Sequence, residues 1–219
     1  MGETELRHVA VIGAPEPGEP GTLESAVRSS CTKAGDIARE AFAQIPGLLA
    51  FSWIDAGLDA LLQRSPTAAA ARACAPGAEM LAAVAGELGV ALRVCGAAAD
   101  LPALPAPSTG DRDTGRTLLW FQRYSARDEI VRAAGRFLAA HPGQKLTDGG
   151  LDDWLDTAGV PDPDLLIHVG GTLEPRDALL WQGSYAEICH EPGPLSAFTT
   201  AGLHRAVADF RDRQRRFGR

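Results

Sequence analysis

Lysine is nearly absent from this sequence: of 21 basic residues only Lys33 and Lys145 are lysines. Among so many alanines, glycines and prolines that bias reflects a GC-rich genome, and the arginine total carries no functional meaning of its own. The formal charge of -7 excludes a general nucleic-acid binder, which must neutralise phosphates. No apolar run approaches the ~18 residues of a membrane span, and the opening MGETELRH is no signal peptide. These absences lead us to expect a soluble, cytoplasmic protein. Cys31, Cys74, Cys95 and Cys189 show neither CxxC spacing nor a histidine at metal-ligand distance, which leaves buried thiols rather than zinc or disulfides. There is no GxSxG, and no Cys and His pair stands out as nucleophile and base. Gly13 to Gly21 (GAPEPGEPG) lies where a dinucleotide loop would be, but it is not GxGxxG. Pro15 and Pro17 also remove amides that a phosphate would need, so a Rossmann cofactor site is not expected.

What the sequence does have is an alternation of short apolar runs with helical material. The runs are His8 to Ile12, Leu48 to Ser52, Ala91 to Gly96, Thr117 to Gln122 and Asp164 to Val169. That pattern predicts an α/β fold, a mainly parallel sheet of about six strands wrapped by helices. The length of 219 residues and an apolar content of 45% suit a single domain over 1–219. Helices are expected over Thr22 to Gln44, Gly77 to Leu88, Arg127 to Ala140 with Ser125 as cap, from Thr147 or Asp148 to Gly159, and Thr199 to Arg216. In the last of these Leu203, Val207 and Phe210 share a face. Ala97 to Arg116, rich in Pro, Ala, Ser and Asp, reads as a surface connection. From Leu203 onward Arg205, Arg211, Arg213, Arg215, Arg216 and Arg219 stand against Asp209 and Asp212, giving a cationic tail on an acidic protein.

The chain is organised around Pro161 to Glu191. Asp164 to Val169 (DLLIHV) reads as a buried parallel strand closed by Gly170 and Gly171, whose bare backbone amides suit an anion. Open α/β sheets bind ligands beyond the carboxyl ends of their strands. The polar run Thr172, Glu174, Arg176 and Asp177 therefore falls where a ligand would sit, and Ala178 to Ile188 is expected to open a helix.

These residues resemble the signature of the cis-prenyltransferase family, the undecaprenyl diphosphate synthases and their relatives, approximately DLxIRTxGExRxSNFLLWQxxYxE. Asp164, Leu165, Ile167, Gly170, Gly171, Leu179, Leu180, Trp181, Gln182, Tyr185, Ala186 and Glu187 stand at matching positions. The ending Arg215-Arg216-Phe217-Gly218 is similar to the family's RRFGG. More loosely, Arg7 to Ile12 resembles the first strand, Lys33-Ala34-Gly35 a His-x-x-Gly helix start, and Ala50-Phe51-Ser52 the end of the second strand. Arg127 to Ile130 is similar to the helix opening after the fourth.

The resemblance implies condensation of isopentenyl diphosphate onto an allylic diphosphate, with Mg²⁺ helping to expel diphosphate. In the family that ion is held chiefly by an aspartate of a DGN motif after the first strand, with a glutamate of the YAE segment contributed by the neighbouring subunit. A departing anion needs a divalent cation, and a hard cation needs carboxylate oxygens. Here the aspartate position is Ala14, so no intact catalytic residue is expected; Glu16 or Glu174 would have to replace it. Thr32 replaces the helix-start histidine, FSSEN survives only as Phe51-Ser52, His168 replaces an arginine, and Glu174 brings an acid where relatives present cations.

The half that remains resembles the silent subunit of two-subunit cis-prenyltransferases, similar to the Nogo-B receptor, whose terminal Arg-x-Gly reaches into the catalytic subunit. On that resemblance the protein is an accessory subunit of a heteromeric polyprenyl diphosphate synthase. Arg216, Gly218, Gly170, Gly171, His168 and Arg176 would contact diphosphate, and Glu187 would serve the metal. The partner would be a DGN-bearing catalytic subunit, Mg²⁺ would be shared with or held by it, and membrane contact would come through the product alone. Two alternatives stay open: a self-sufficient homodimeric prenyltransferase of altered chemistry, and a non-enzymatic module binding prenyl diphosphates or proteins. Plainer readings of the residues also stand. Arg216 can be a solvated helix-end arginine, Glu187 a salt-bridged acid, and His168 a satisfied, half-buried histidine. Leu179, Leu180 and Trp181 can be core or interface.

Overall fold

Each apolar run becomes a strand because it is covered on both faces, the condition under which a parallel strand carries no polar side. In the computed structural model, which describes residues 5–14, 21–96, 115–170 and 177–213, these are β1 (His8–Gly13), β2 (Ala50–Asp55), β3 (Ala91–Gly96), β4 (Thr117–Gln122) and β5 (Leu165–Val169). A sixth, β6 (Glu187–Glu191), forms one edge, and the order β3-β4-β2-β1-β5-β6 is parallel throughout. Val9, Val11, Phe51, Trp53, Leu118, Trp120 and Ile167 pack on one face against α1 (Leu23–Gln44), α3 (Thr67–Leu88) and α6 (Thr200–Asp212). α2 (Ala56–Arg64) adds Leu58 and Leu62 to that layer. Ala10, Ile12, Ile54, Leu119, Phe121 and Leu166 form the other core with α4 (Ala126–Ala140) and Leu179. At Gly77 of α3 a side-chain carbon would meet Cys31 Sγ and a Val27 methyl at 2.7 Å. Only glycine lets the two long helices close over Trp120.

The expected sheet, the Ser125 cap and the buried face of α6 agree with the structure, and Thr22, expected as the start of a helix, caps α1. The four cysteines are free and buried. Several boundaries differ. Ala50-Phe51-Ser52 opens β2 rather than ending it, and Lys33-Ala34-Gly35 lies in the middle of α1, because the helix begins ten residues earlier at the Thr22 cap. α2 was not foreseen: Asp55, the last residue of β2, turns the chain by accepting the Leu58 N–H at 2.9 Å. α3 begins at Thr67 and runs through Pro76, as an alanine-rich helix with a tight partner can. The helix expected up to Gly159 shortens to α5 (Asp148–Leu151) and a 3-10 turn.

The largest correction concerns Ala178 to Ile188, which does not open a helix. Leu179 takes a left-handed backbone (φ 49) and the Gly183 N–H closes on its carbonyl, giving turns that lead straight into β6. α6 ends at Asp212, and residues 214–219 lie outside the described part of the chain, as does most of Ala97 to Arg116.

His8 sits with no exposure at the amino end of β1. Its Nδ1–H donates to the Pro161 carbonyl at 2.7 Å, so its Nε2 accepts from the Ser52 hydroxyl at 2.9 Å. Ser52, half of the surviving Phe51-Ser52 pair, is thus a core residue. Burial lowers the His8 pKa from 6.5 to about 4. The unfolded chain takes up this proton near pH 6.5 while the folded one resists until about 4. The stability His8 contributes is therefore whole above pH 6.5 and falls by roughly 3 kcal/mol as pH drops through that window. Imidazole NMR at pH 5.5 should find His8 neutral; titration near 6.5 would contradict the burial.

Candidate functional site

β1 lies between β2 and β5, so the chain's path across the sheet reverses at the β1/β5 gap. Ligands of open α/β sheets sit beyond the carboxyl ends of strands at such a point. Here that place is Gly13-Ala14 beside Val169-Gly170. The Ala14 N–H donates to the Val169 carbonyl at 2.7 Å, and the Gly170 N–H to the Glu191 carbonyl at 3.1 Å. Gly170 has φ 125, and any side-chain carbon on it would collide with the Ala14 methyl. The methyl therefore fills the wall where a carboxylate would be needed. Asp55, across from Gly13, uses one oxygen to cap α2. Among the described residues no three His, Cys, Asp or Glu side chains gather as a cation would require. The described residues at this end of the sheet do not fit a divalent ion by themselves. His168, 7% exposed, precedes Val169 and its ring lies 5.7 Å from that of His190. Gly171, Glu174, Arg176 and Glu16 lie outside the described residues.

A cleft of about 680 Å³ opens along the first turns of α1, lined among others by Ser25, Arg28, Ser29, Thr32, Lys33 and Ser196. Two cations, Arg28 and Lys33, and several hydroxyls along the amino-terminal half of α1 suit an anion, although Glu24 and Asp36 also line it. The sequence reading missed Arg28. The available signal was its place four residues before Thr32 and five before Lys33 on one amphipathic helix. Thr32 itself turns its hydroxyl back to donate to the Arg28 carbonyl at 2.9 Å.

Glu187 stands elsewhere. It begins β6 opposite Leu165, whereas Glu191 lies opposite Val169. Five strand residues, about 17 Å, therefore separate Glu187 from the level of Gly170. α6 runs back along this edge. Arg205 grips Glu191 with contacts of 2.5 and 3.3 Å, and Arg213, just past the helix, lies 3.5 Å from Glu187 and donates to the Ile188 carbonyl at 3.0 Å. The helix thus brings the chain, as far as Arg213, to the amino end of the sheet beside Glu187. Arg216 and Gly218 are themselves outside the described part. Ala14 with Gly170, and Glu187 with the root of the tail, form separate groups at opposite ends of the sheet. Tyr185 (84% exposed), Ile188 and Leu180 leave apolar surface next to the second group.

The signature segment is held by a buried network that sequence reading did not find. Glu129 of α4 has no exposure, and its carboxylate accepts from the Tyr124 hydroxyl (2.6 Å), the Asp156 N–H (2.8 Å) and the Gln182 amide (3.1 Å). Tyr124 in turn accepts the Leu179 N–H at 3.2 Å. Burial raises the Glu129 pKa against the pull of these donors. Its spacing with Ala133 and Phe137 on the buried stripe of α4 was the available clue. Leu179 is core, Trp181 packs at its margin, and Leu180 is exposed. Asp177, expected among the ligand-facing residues, is instead tied to the start of α4, accepting from the Ser125 hydroxyl (2.7 Å) and the Arg127 N–H (3.1 Å).

With this geometry in hand, comparison with known proteins is informative. Residues 82–218, more than half of the chain, match the family model described as "Putative undecaprenyl diphosphate synthase". An isoprenyl transferase of Brucella suis is 41% identical over 129 residues, covering 55% of this chain and 50% of that one. One from Wolinella succinogenes is 37% identical over 105 residues, 48% of this chain and 45% of its own. The chain thus spans about half the length of the curated relatives it matches. A crystal structure of a probable undecaprenyl diphosphate synthase from Campylobacter jejuni superposes with a TM-score of 0.64 at 22% identity, covering 99% of this chain and 100% of that one. Lavandulyl diphosphate synthase from Lavandula x intermedia, solved with dimethylallyl diphosphate, gives 0.76 at 22%, covering 98% and 99%. At that identity the two structures establish the shared fold, and the family match establishes descent: the chain belongs to the undecaprenyl diphosphate synthase family of cis-prenyltransferases.

Proposed function

We propose that the protein is the accessory subunit of a heteromeric polyprenyl diphosphate synthase, pairing with a DGN-bearing subunit. In that assembly it lends Arg216 and Gly218 to the partner's diphosphate site and Glu187 to its Mg²⁺. The observation that carries the reading is the separation of the two groups. Among the described residues the chain's own switch point presents the Ala14 methyl and no cluster of carboxylates, while Glu187 and the root of the tail lie together at the far end of the sheet. There they flank Tyr185, Ile188 and Leu180, an apolar patch beside an edge strand that suits a second subunit. A guanidinium followed closely by glycine is matched to phosphate oxygens by paired bonds and open backbone. Isopentenyl and allylic diphosphates are the substrates of the pair, and the bound metal supplies charge neutralisation at the leaving diphosphate.

The relatives' name, isoprenyl transferase, favours the second reading, a self-sufficient homodimer. The family match, however, begins at residue 82 and so does not include Ala14. Docking and donation separate experimentally. Ile188→Asp or Tyr185→Ser should weaken co-elution with a DGN-bearing homologue by about a hundredfold in affinity, whereas Arg216→Ala should leave co-elution intact and lower the activity of the pair. Unchanged co-elution of both patch variants would remove this surface from the interface.

A further inference from the structure

Among the described residues six buried side-chain atoms lack a hydrogen-bond partner, and five of them belong to four residues: Asp59 Oδ1, Trp120 Nε1, both amide atoms of Gln122, and Arg123 Nη1. They converge. Trp120 and Gln122 alternate onto the same face of β4, the face whose Trp120 touches Gly77 of α3. The Asp59 carboxyl, on α2, lies close enough to the backbone N–H groups of Arg123 and Tyr124, the residues that follow Gln122, for them to act on its pKa. Asp59 and Arg123 both act electrostatically on the Cys74 thiol of α3. Gln122 has no exposure and Asp59 4%. Yet Asp59 and Arg123 do not pair with each other. Left dry, so many unpaired atoms would forfeit stability on the scale of the whole fold, and native interiors rarely tolerate it.

We propose that Trp120, Gln122 and Arg123, walled by Asp59, form a buried site for a small oxyanion, a carboxylate or a phosphate, between α2, α3 and the carboxyl end of β4. Three of the side chains offer N–H donors, one of them charged. Burial and the charge of Asp55 raise the Asp59 pKa, so its carboxyl tends to neutrality and does not oppose an anion. The Gln122 carbonyl can accept from a protonated oxygen or a bridging water. The site is separate from the α1 cleft, and it stands whether or not the accessory-subunit reading does.

The test uses the full chain and follows the indole N–H signals by NMR, with that of Trp120 assigned by its loss in Trp120→Phe. Acetate and inorganic phosphate are titrated separately at constant ionic strength. We expect a saturable shift of the Trp120 signal, weakened at least about tenfold by Gln122→Leu and unchanged by Arg28→Ala, which alters only the α1 cleft. A response to acetate alone assigns the carboxylate class, to phosphate alone the phosphoryl class, and to both the shared oxyanion chemistry. Should Gln122→Leu not fold, Arg123→Gln reads the same loss. If neither anion moves the signal, or the variants bind as tightly as the native chain, the proposal is overturned.

Discussion

Glu129→Ala is expected to lower the free energy of unfolding by about 3–5 kcal/mol and the thermal midpoint by on the order of 10 °C. The carboxylate is the shared acceptor for Tyr124, Gln182 and the Asp156 N–H, all in the interior. Its removal strands three donors and leaves a void. It also frees the segment from Leu179 to Gln182, whose left-handed residue is held through Tyr124. Glu129→Gln, which keeps the shape and one acceptor but turns a second amide toward Gln182, should fall between the two. Because the folded pKa is raised, the contribution of Glu129 declines as pH climbs from the ordinary carboxylate range through the folded value. That is the opposite sense to His8. Denaturant unfolding at pH 7 measures the effect, and a loss below about 1 kcal/mol would mean that the network is ornamental.

The sheet was legible because its strands are apolar on both faces and separated by helices, a pattern set by local sequence alone. The missed elements depend on long-range context. α2 starts from one carboxylate, Asp55, turning a strand end into a helix cap. β6 is half-exposed, with Glu187 and Ile188 open to one side, so it lacks the apolar run that marked the other five. The same contrast holds at the site. Ala14 and Gly170 could be placed at strand ends from the sequence, and in the structure the two residues adjoin. Glu187 could be recognised by its motif but not located, since nothing in YAE tells which end of the sheet it occupies. Glu129 and Gln182, 53 residues apart, meet only through the fold. Asp177 reads as a loop acid in one dimension and is a helix anchor in three.

The second large effect concerns catalysis. Among the described residues the switch point presents the Ala14 methyl rather than a carboxylate, and on the proposed reading loss of a cation ligand there lowers turnover at least about a hundredfold. On the proposed reading a DGN-bearing subunit supplies the ligand, and this chain contributes Arg216 and Gly218. Arg216→Ala should then reduce the pair's rate by about a hundredfold, the effect of removing one donor at a developing charge, without loosening the pair. Glu187→Gln should raise the Mg²⁺ concentration the pair needs. If Arg216→Ala is silent in the assembled pair, the tail does not reach the reaction.

The most direct measurement is isopentenyl diphosphate incorporation into geranyl or farnesyl diphosphate with Mg²⁺, run on the purified chain alone and again after co-expression with a DGN-bearing homologue. Incorporation at background for the single chain, and at least about a hundredfold above it for the pair and above the homologue alone, is the predicted result. Robust product from the single chain, or a homologue whose rate is indifferent to this protein, would contradict the account.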